Sequence, residues 1–243
     1  MSGTCIVTGA SRGIGAAAAR MAAYAGYAVL VNYANDADAA ASVADEITRK
    51  GGRALTHQAD VSDAPAVVAM FDRAETELGG LTALVNNAGI LKTKARLEEM
   101  EADRISRVMA VNVTGSLICA REAVRRMKDG GAIVNLSSRA AALGSPNEFI
   151  DYAASKGAID AMTIGLSKEV ADRNIRVNAV RPGLIDTEIH ASAGDPDRAF
   201  RMSNMVPMQR TGSAEEVAEV ILWLLSDSAS YVTGTLIDVS GGR

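Results

Sequence analysis

The chain has little of what proteins use for metal, disulfide or nucleic-acid chemistry. Its 243 residues contain two cysteines and two histidines. Cys5 and Cys119 both stand inside apolar runs, as small buried hydrophobes do, which argues against a disulfide framework. His57 and His190 form no cluster of metal-ligand type, so no metal is expected. Basic excess is missing too: 25 Lys and Arg against 29 Asp and Glu leave a net charge of −4, which offers no surface to a phosphate backbone. Nucleic acid is not an expected partner. There is no long apolar run, because the alanine-rich stretch from Ala16 is broken by Arg20 and flanked by glycines. That argues against a membrane span. No Pro- or Ser-rich linker divides the chain and no solenoid repeat appears, so a single domain over 1–243 is expected. Strand-like sequence begins within a few residues of Met1, leaving no room for a signal peptide, and a cytoplasmic protein is the expectation.

What is present is an alternation of short apolar runs with longer helical patterns. The strands are expected at 4–8, 28–32, 53–58, 82–86, 132–136, 175–180 and 235–239. Several are almost continuously apolar, as strands of a parallel sheet buried on both faces must be. Helices are expected near 14–24, 36–50, 64–78, 96–128, 152–172 and 214–225, the last opened by a capping box between Ser213 and Glu216. This order predicts an α/β, Rossmann-like doubly wound sheet of about seven parallel strands with helices on both faces. Ligands of such sheets bind beyond the carboxyl ends of the strands.

After the first strand comes "TGASRGIGAAAAR". Gly9, Gly13 and Gly15 allow a tight turn and a close approach of main chain to ligand, and the following helix N-terminus can receive a pyrophosphate. The spacing is GxxxGxG rather than the commoner GxGxxG. At the end of the second strand, where an NAD site usually has an acidic residue, stand Asn32 and Tyr33. A 2′-phosphate would meet less repulsion there, and Arg12 would be placed to pair with it. NADP(H) is therefore expected over NAD(H).

Tyr152 and Lys156 lie four residues apart, on one face of an expected helix. An unperturbed phenol has a pKa of about 10, too high for proton exchange at neutral pH, and a fixed ammonium beside it would favour the phenolate. The spacing alone also fits an ordinary surface pair.

Taken together, "TGASRGIG" (8–15), "ADV" (59–61), "NNAG" (86–89), "NVTG" (112–115), "IVNLSS" (133–138), "YAASK" (152–156), "RPG" (181–183) and "ASYVTGTLIDVSGG" (229–242) resemble the short-chain dehydrogenase/reductase family, in its compact single-domain branch. The resemblance implies that Tyr152 is the general acid and base. It implies that Lys156 tunes Tyr152 and binds the nicotinamide ribose, that Ser138 holds the substrate oxygen, and that Asn112 organises a proton path. Asp60 and Val61 would contact adenine, Asn87, Ala88 and Gly89 would flank the adenosine side, and Pro182, Gly183, Ile185 and Thr187 would border the nicotinamide. Ser11, Arg12 and Ile14 would complete the glycine loop. Asp60 and Ser62 also suit a helix start, and Ser137 competes with Ser138, although strand neighbours point to opposite faces. The stretch from Ser138 to Tyr152 is one residue longer than the family pattern.

Residues 188–210 fall where the family carries a substrate lid, with Phe200, Met202, Met205 and Met208 as an adaptable apolar cover. The helix bearing Tyr152 is apolar on more sides than one sheet face requires, and the family implies a homotetramer assembled through it. The implied substrate is a small carbonyl compound or alcohol, either a 3-oxoacyl thioester or a sugar or polyol. A non-catalytic dinucleotide sensor would have no use for the set Asn112, Ser138, Tyr152 and Lys156.

Overall fold

The computed structural model describes residues 3–128, 130–195 and 197–243, with the side chains of His190 and Ser192 outside the description. Chain order begins β1 (Thr4–Val7), α1 (Gly13–Tyr24), β2 (Ala28–Tyr33), α2 (Ala37–Arg49), β3 (Arg53–Gln58), α3 (Ala64–Leu78) and β4 (Leu81–Asn86). It continues through α4 (Ala102–Met109), α5 (Ser116–Arg126), β5 (Gly131–Leu136), α6 (Ala140–Leu143) and α7 (Ile150–Glu169). The last elements are β6 (Ile175–Pro182), the short α8 (Ile189–Ser192) and α9 (Arg198–Arg201), α10 (Ala214–Leu225) and β7 (Leu236–Val239).

The apolar runs become strands because each feeds side chains to both sides of one sheet. In β1, Cys5 and Val7 join one apolar cluster and Ile6 the other; in β2, Val29 and Val31 oppose Leu30. All seven strands pair in parallel, in the order β3-β2-β1-β4-β5-β6-β7. The expected Rossmann-like fold is what forms. One core cluster is completed by α1, α2 and α10, and the other by α3, α5 and α7. Ala16 to Ala19 are all buried, so short side chains let α1 lie close to the sheet. At α10 the capping box is present, with Ser213 Oγ accepting from Glu216 N and the Glu216 carboxylate accepting from Ser213 N. The strand order reverses direction between β1 and β4, which opens a crevice at their carboxyl ends.

One expected element differs. The helix read over 96–128 is broken into a 3-10 turn at Leu97–Glu99, then α4, a π-helical segment at Ala110–Gly115, and α5. The apolar period runs through the break, which is why the sequence reads as continuous. The wider π turn changes the direction of Asn112. Among the described residues no helix is long and apolar enough to cross a membrane.

Candidate active site

The glycine loop is shaped by its own glycines and clamped by two asparagines. Gly9 and Gly13 have φ of +61° and +53°, the left-handed region that side-chain-bearing residues avoid. A Cβ on Gly15 would stand 2.4 Å from the Gly9 carbonyl oxygen. Asn87 Nδ2 donates to the carbonyls of Thr8 (2.8 Å) and Gly9 (3.0 Å). From the other side, Asn32 Oδ1 accepts from Gly9 N at 3.1 Å while its Nδ2 donates to Ala59 O at 3.1 Å. The side-chain amides of Asn32 and Asn87 are thus committed to main chain.

This loop and the start of α1 open into a cavity of about 800 Å³. Ser11, Arg12 and Ile14 join the three glycines in its wall, with Asn32 and Tyr33 at the end of β2, Asp60 and Val61 after β3, and Asn87, Ala88 and Gly89 after β4. Asp60 makes its own turn, Oδ1 accepting from Ser62 N (2.9 Å) and Oγ (2.7 Å), and Oδ2 from Arg107 at 2.5 Å. Burial raises the Asp60 carboxyl, but the Ser62 and Arg107 hydrogen bonds outweigh it and hold the pKa below the usual range. The cap of α3 is Asp63 rather than Asp60 or Ser62.

Beside this cavity the expected catalytic residues converge. Through the π segment, Asn112 Oδ1 accepts from Ile90 N at 2.8 Å, and its Nδ2 donates to Ile90 O and Ser155 Oγ, both at 3.1 Å. Ser155 Oγ in turn donates to the Tyr152 carbonyl at 2.7 Å. Lys156 is 4% exposed and donates to Leu136 O at 2.6 Å, with its Nζ 5.5 Å from the Tyr152 ring centre. A Cβ on Gly89 would stand 3.4 Å from Asn112 Oδ1 and 3.5 Å from Lys156 Nζ, so all three meet at one point. Ser137 is buried and bonded to Lys156 O, whereas Ser138 faces open space near Tyr152. Both serines line the smaller cavity, but Ser137 Oγ donates to the Lys156 carbonyl, which leaves Ser138 as the one beside the Tyr152 hydroxyl.

The electrostatics differ from the sequence expectation in one respect. Burial pushes the Tyr152 phenol up to about 12, opposed by its hydrogen bond with Ser138; Lys156 does not bring it down. The reason is that burial also lowers Lys156 to about 8, opposed by Asp160 one turn along α7. Before a ligand arrives, the phenol holds its proton firmly and the amine holds its own loosely.

A second cavity, of about 540 Å³, adjoins the first. Ser138, Tyr152, Pro182, Gly183 and Ile185 line it, and Thr187 lines both cavities. Its outer wall uses the long 138–152 stretch, where α6 ends at Gly144 in the left-handed region and Leu143 and Pro146 face the space. Of the expected lid residues, Met202 and Met205 line this cavity; Phe200 (80% exposed) and Met208 (59%) do not. The side chain of His190 lies outside the described residues.

Comparison with known proteins settles the family. The family model described as enoyl-(acyl carrier protein) reductase matches residues 9–243. The chain is 57% identical to the uncharacterized oxidoreductase YgfF of Escherichia coli strain K12, over 98% of each chain. It belongs to the short-chain dehydrogenase/reductase family. Within this family it is also 41% identical to 3beta-hydroxysteroid dehydrogenase 1 of Eggerthella lenta, over 98% of this chain and 92% of that one. A crystal structure of a Burkholderia cenocepacia short-chain dehydrogenase in complex with NADP superposes with a TM-score of 0.92 at 34% identity, covering 98% of this chain and 96% of that one.

For this short-chain dehydrogenase/reductase, sequence reasoning missed residues that act through others. Arg107 lines the larger cavity and holds Asp60, and Ser155 ties Asn112 to the Tyr152 main chain. Charge on α4 facing the acidic Asp60 loop is a weak signal for the first. No residue pattern marks the second, because it depends on the π turn.

Proposed function

We propose that the protein is a cytoplasmic, NADP(H)-dependent reductase of ketones or aldehydes, reversible as a dehydrogenase of secondary alcohols. The observation that carries this reading is the junction of the two cavities, where Tyr152 and Ser138 face the smaller space beside the glycine-clamped larger one. The larger cavity fits a dinucleotide: two positive-φ glycines, a helix N-terminus without acidic residues in its first turn, and a Gly15 whose missing side chain lets the loop fold tightly onto that N-terminus. When bound there, the nicotinamide would supply the hydride that the carbonyl carbon accepts.

The chain's own groups handle the oxygen. Ser138 hydrogen-bonds it, and Tyr152, protonated at neutral pH because burial raises its pKa, delivers the proton that balances the hydride. Lys156, with its pKa near 8, can return that proton from the Asn112 side at little cost. NADP(H) is favoured over NAD(H) because β2 ends in Asn32 and Tyr33, not a carboxylate, with Arg12 at the loop. Apolar walls from Leu91, Leu143, Phe149, Leu184, Met202 and Met205 favour a substrate with an apolar body over a sugar or polyol. The face of α7 that carries Ala154, Ala161, Ile164 and Gly165 is exposed and supports assembly into a homotetramer, which light scattering measures.

A panel of carbonyls and alcohols followed by NADPH absorbance tests the reading, with Tyr152→Phe as the control. The substitution should lower kcat about 10³-fold while leaving NADPH binding intact. Unchanged turnover in Tyr152→Phe, or NADH used as well as NADPH, would overturn the respective part.

A further inference from the structure

The smaller cavity has a charge pattern that ketone reduction alone does not require. Arg139, Glu148, Arg198 and Arg243 all line it, among otherwise mostly apolar walls. Arg139 is paired: its Nη1 donates to Asp238 at 2.6 Å and its Nε to the Arg243 carbonyl at 2.7 Å. Arg198 donates one Nη to Glu148 at 2.6 Å, and its guanidinium lies 5.3 Å from the centre of the Phe149 ring. Its Nε is buried and has no hydrogen-bond partner among the described residues.

Arg243 is less provided for. Among the described residues its guanidinium makes no ion pair and no hydrogen bond, since Glu148 serves Arg198 and Asp238 serves Arg139 and Arg181. Burial first, and then the neighbouring Arg198 and Arg139 charges, lower its pKa, while Glu148 acts the other way. One positive charge and one buried N–H donor are therefore left over beside the Tyr152 cavity. A partly buried guanidinium without an anion is unfavourable in the free protein, and a bound carboxylate would relieve both deficits at once.

We propose that the smaller cavity takes an anionic substrate, an oxo acid or the corresponding hydroxy acid, whose carboxylate is held by Arg243 and Arg198 Nε while Tyr152 and Ser138 attend its carbonyl. This rests on the proposed carbonyl reduction and adds the substrate class. The phosphodiester of a carrier-linked thioester is also a monoanion and would supply the same chemistry.

The test compares kcat/KM for medium-chain linear oxo acids with their methyl esters, in the native protein and in Arg243→Gln and Arg198→Met. The acid should be preferred by about tenfold, with the ratio falling toward one in each variant; loss of fold would lower both rates and leave the ratio in place. Hexanoate binding to the NADP-loaded protein by calorimetry gives a readout independent of turnover, and it should be lost in Arg243→Gln. If the native protein uses ester and acid equally, or hexanoate binds the variant as well as the parent, the proposal is overturned. If a 3-oxoacyl phosphopantetheine thioester outperforms the free acid and loses that advantage in Arg243→Gln, anion recognition stands with phosphate as its source. Hexanoate binding that depends on Arg243 without any carbonyl turnover would sink the reductase reading and leave only the carboxylate site of this one.

Discussion

The larger cavity is walled by main chain that other side chains hold in place, whereas the smaller one is walled by side chains on connecting segments. Asn32, Asn87 and Thr8 fix the glycine loop through hydrogen bonds of 2.8–3.1 Å to peptide groups. No comparable clamps hold Met202, Met205 or Leu143, and the last two are 58% and 44% exposed. The difference follows from what each must recognise. On the proposed assignment, a dinucleotide is the same in every turnover and would be met by fixed peptide dipoles, while the substrate would be met by whatever residues the loops carry.

Substitutions can break this contrast or sharpen it. The largest effect is expected where main chain leaves no room. Gly15→Ala should weaken NADPH binding about 100-fold and destabilise the fold by about 1–3 kcal/mol, because its Cβ would stand 2.4 Å from the Gly9 carbonyl oxygen. Titration calorimetry and thermal unfolding measure both, and normal NADPH affinity would mean the clamp is looser than its hydrogen bonds indicate. A smaller effect, of opposite sign in stability, is expected at Lys156. Its pKa falls from 10.5 to about 8 on burial, which corresponds to about 3 kcal/mol against folding at pH 7. Lys156→Met removes that and leaves the Leu136 carbonyl without its donor, at a cost of about 1–2 kcal/mol. The variant should be inactive yet about 1–2 kcal/mol more stable at pH 7. Between pH 8 and 10.5 the native protein sheds a proton that its unfolded chain retains, so its stability rises and the advantage of the variant should shrink there. Denaturant titrations at pH 7 and pH 10 check the sign. The smallest effect is expected at the outer wall: Met205→Ala should change KM by about twofold and leave NADPH affinity alone. A tenfold change would show that the 188–210 segment closes over substrate, as its position led us to expect.

The same contrast governs what the sequence reveals. Strands buried on two faces must be apolar throughout, so β1, β2, β4 and β5 are readable from composition, as is the capping box of α10. The glycine loop is readable because glycine adopts the φ near +60° of Gly9 and Gly13 without the strain a side chain brings. The site is legible only as residue types. Asn32 and Asn87 line the larger cavity as read, but that their amides also bond peptide groups was not legible, since an amide side chain looks the same in either role. The break between α4 and α5 leaves no trace, because one extra residue in a turn does not disturb the apolar period enough to show. The direction of the Tyr152 shift was missed for a similar reason: spacing shows that Lys156 is near, while burial, which dominates, is a property of the assembled fold.

Gly115 closes the π segment with no side chain, and a Cβ there would meet Val61 Cγ2 at 2.6 Å and the Val61 carbonyl carbon at 3.1 Å. The hydrogen atom at this position is therefore the spacer between two jobs: the seat of Val61 on one side and the register of Asn112 on the other. A single added methyl would force them apart together, so the adenine contact and the proton path proposed for these residues would be mechanically joined through the smallest residue available.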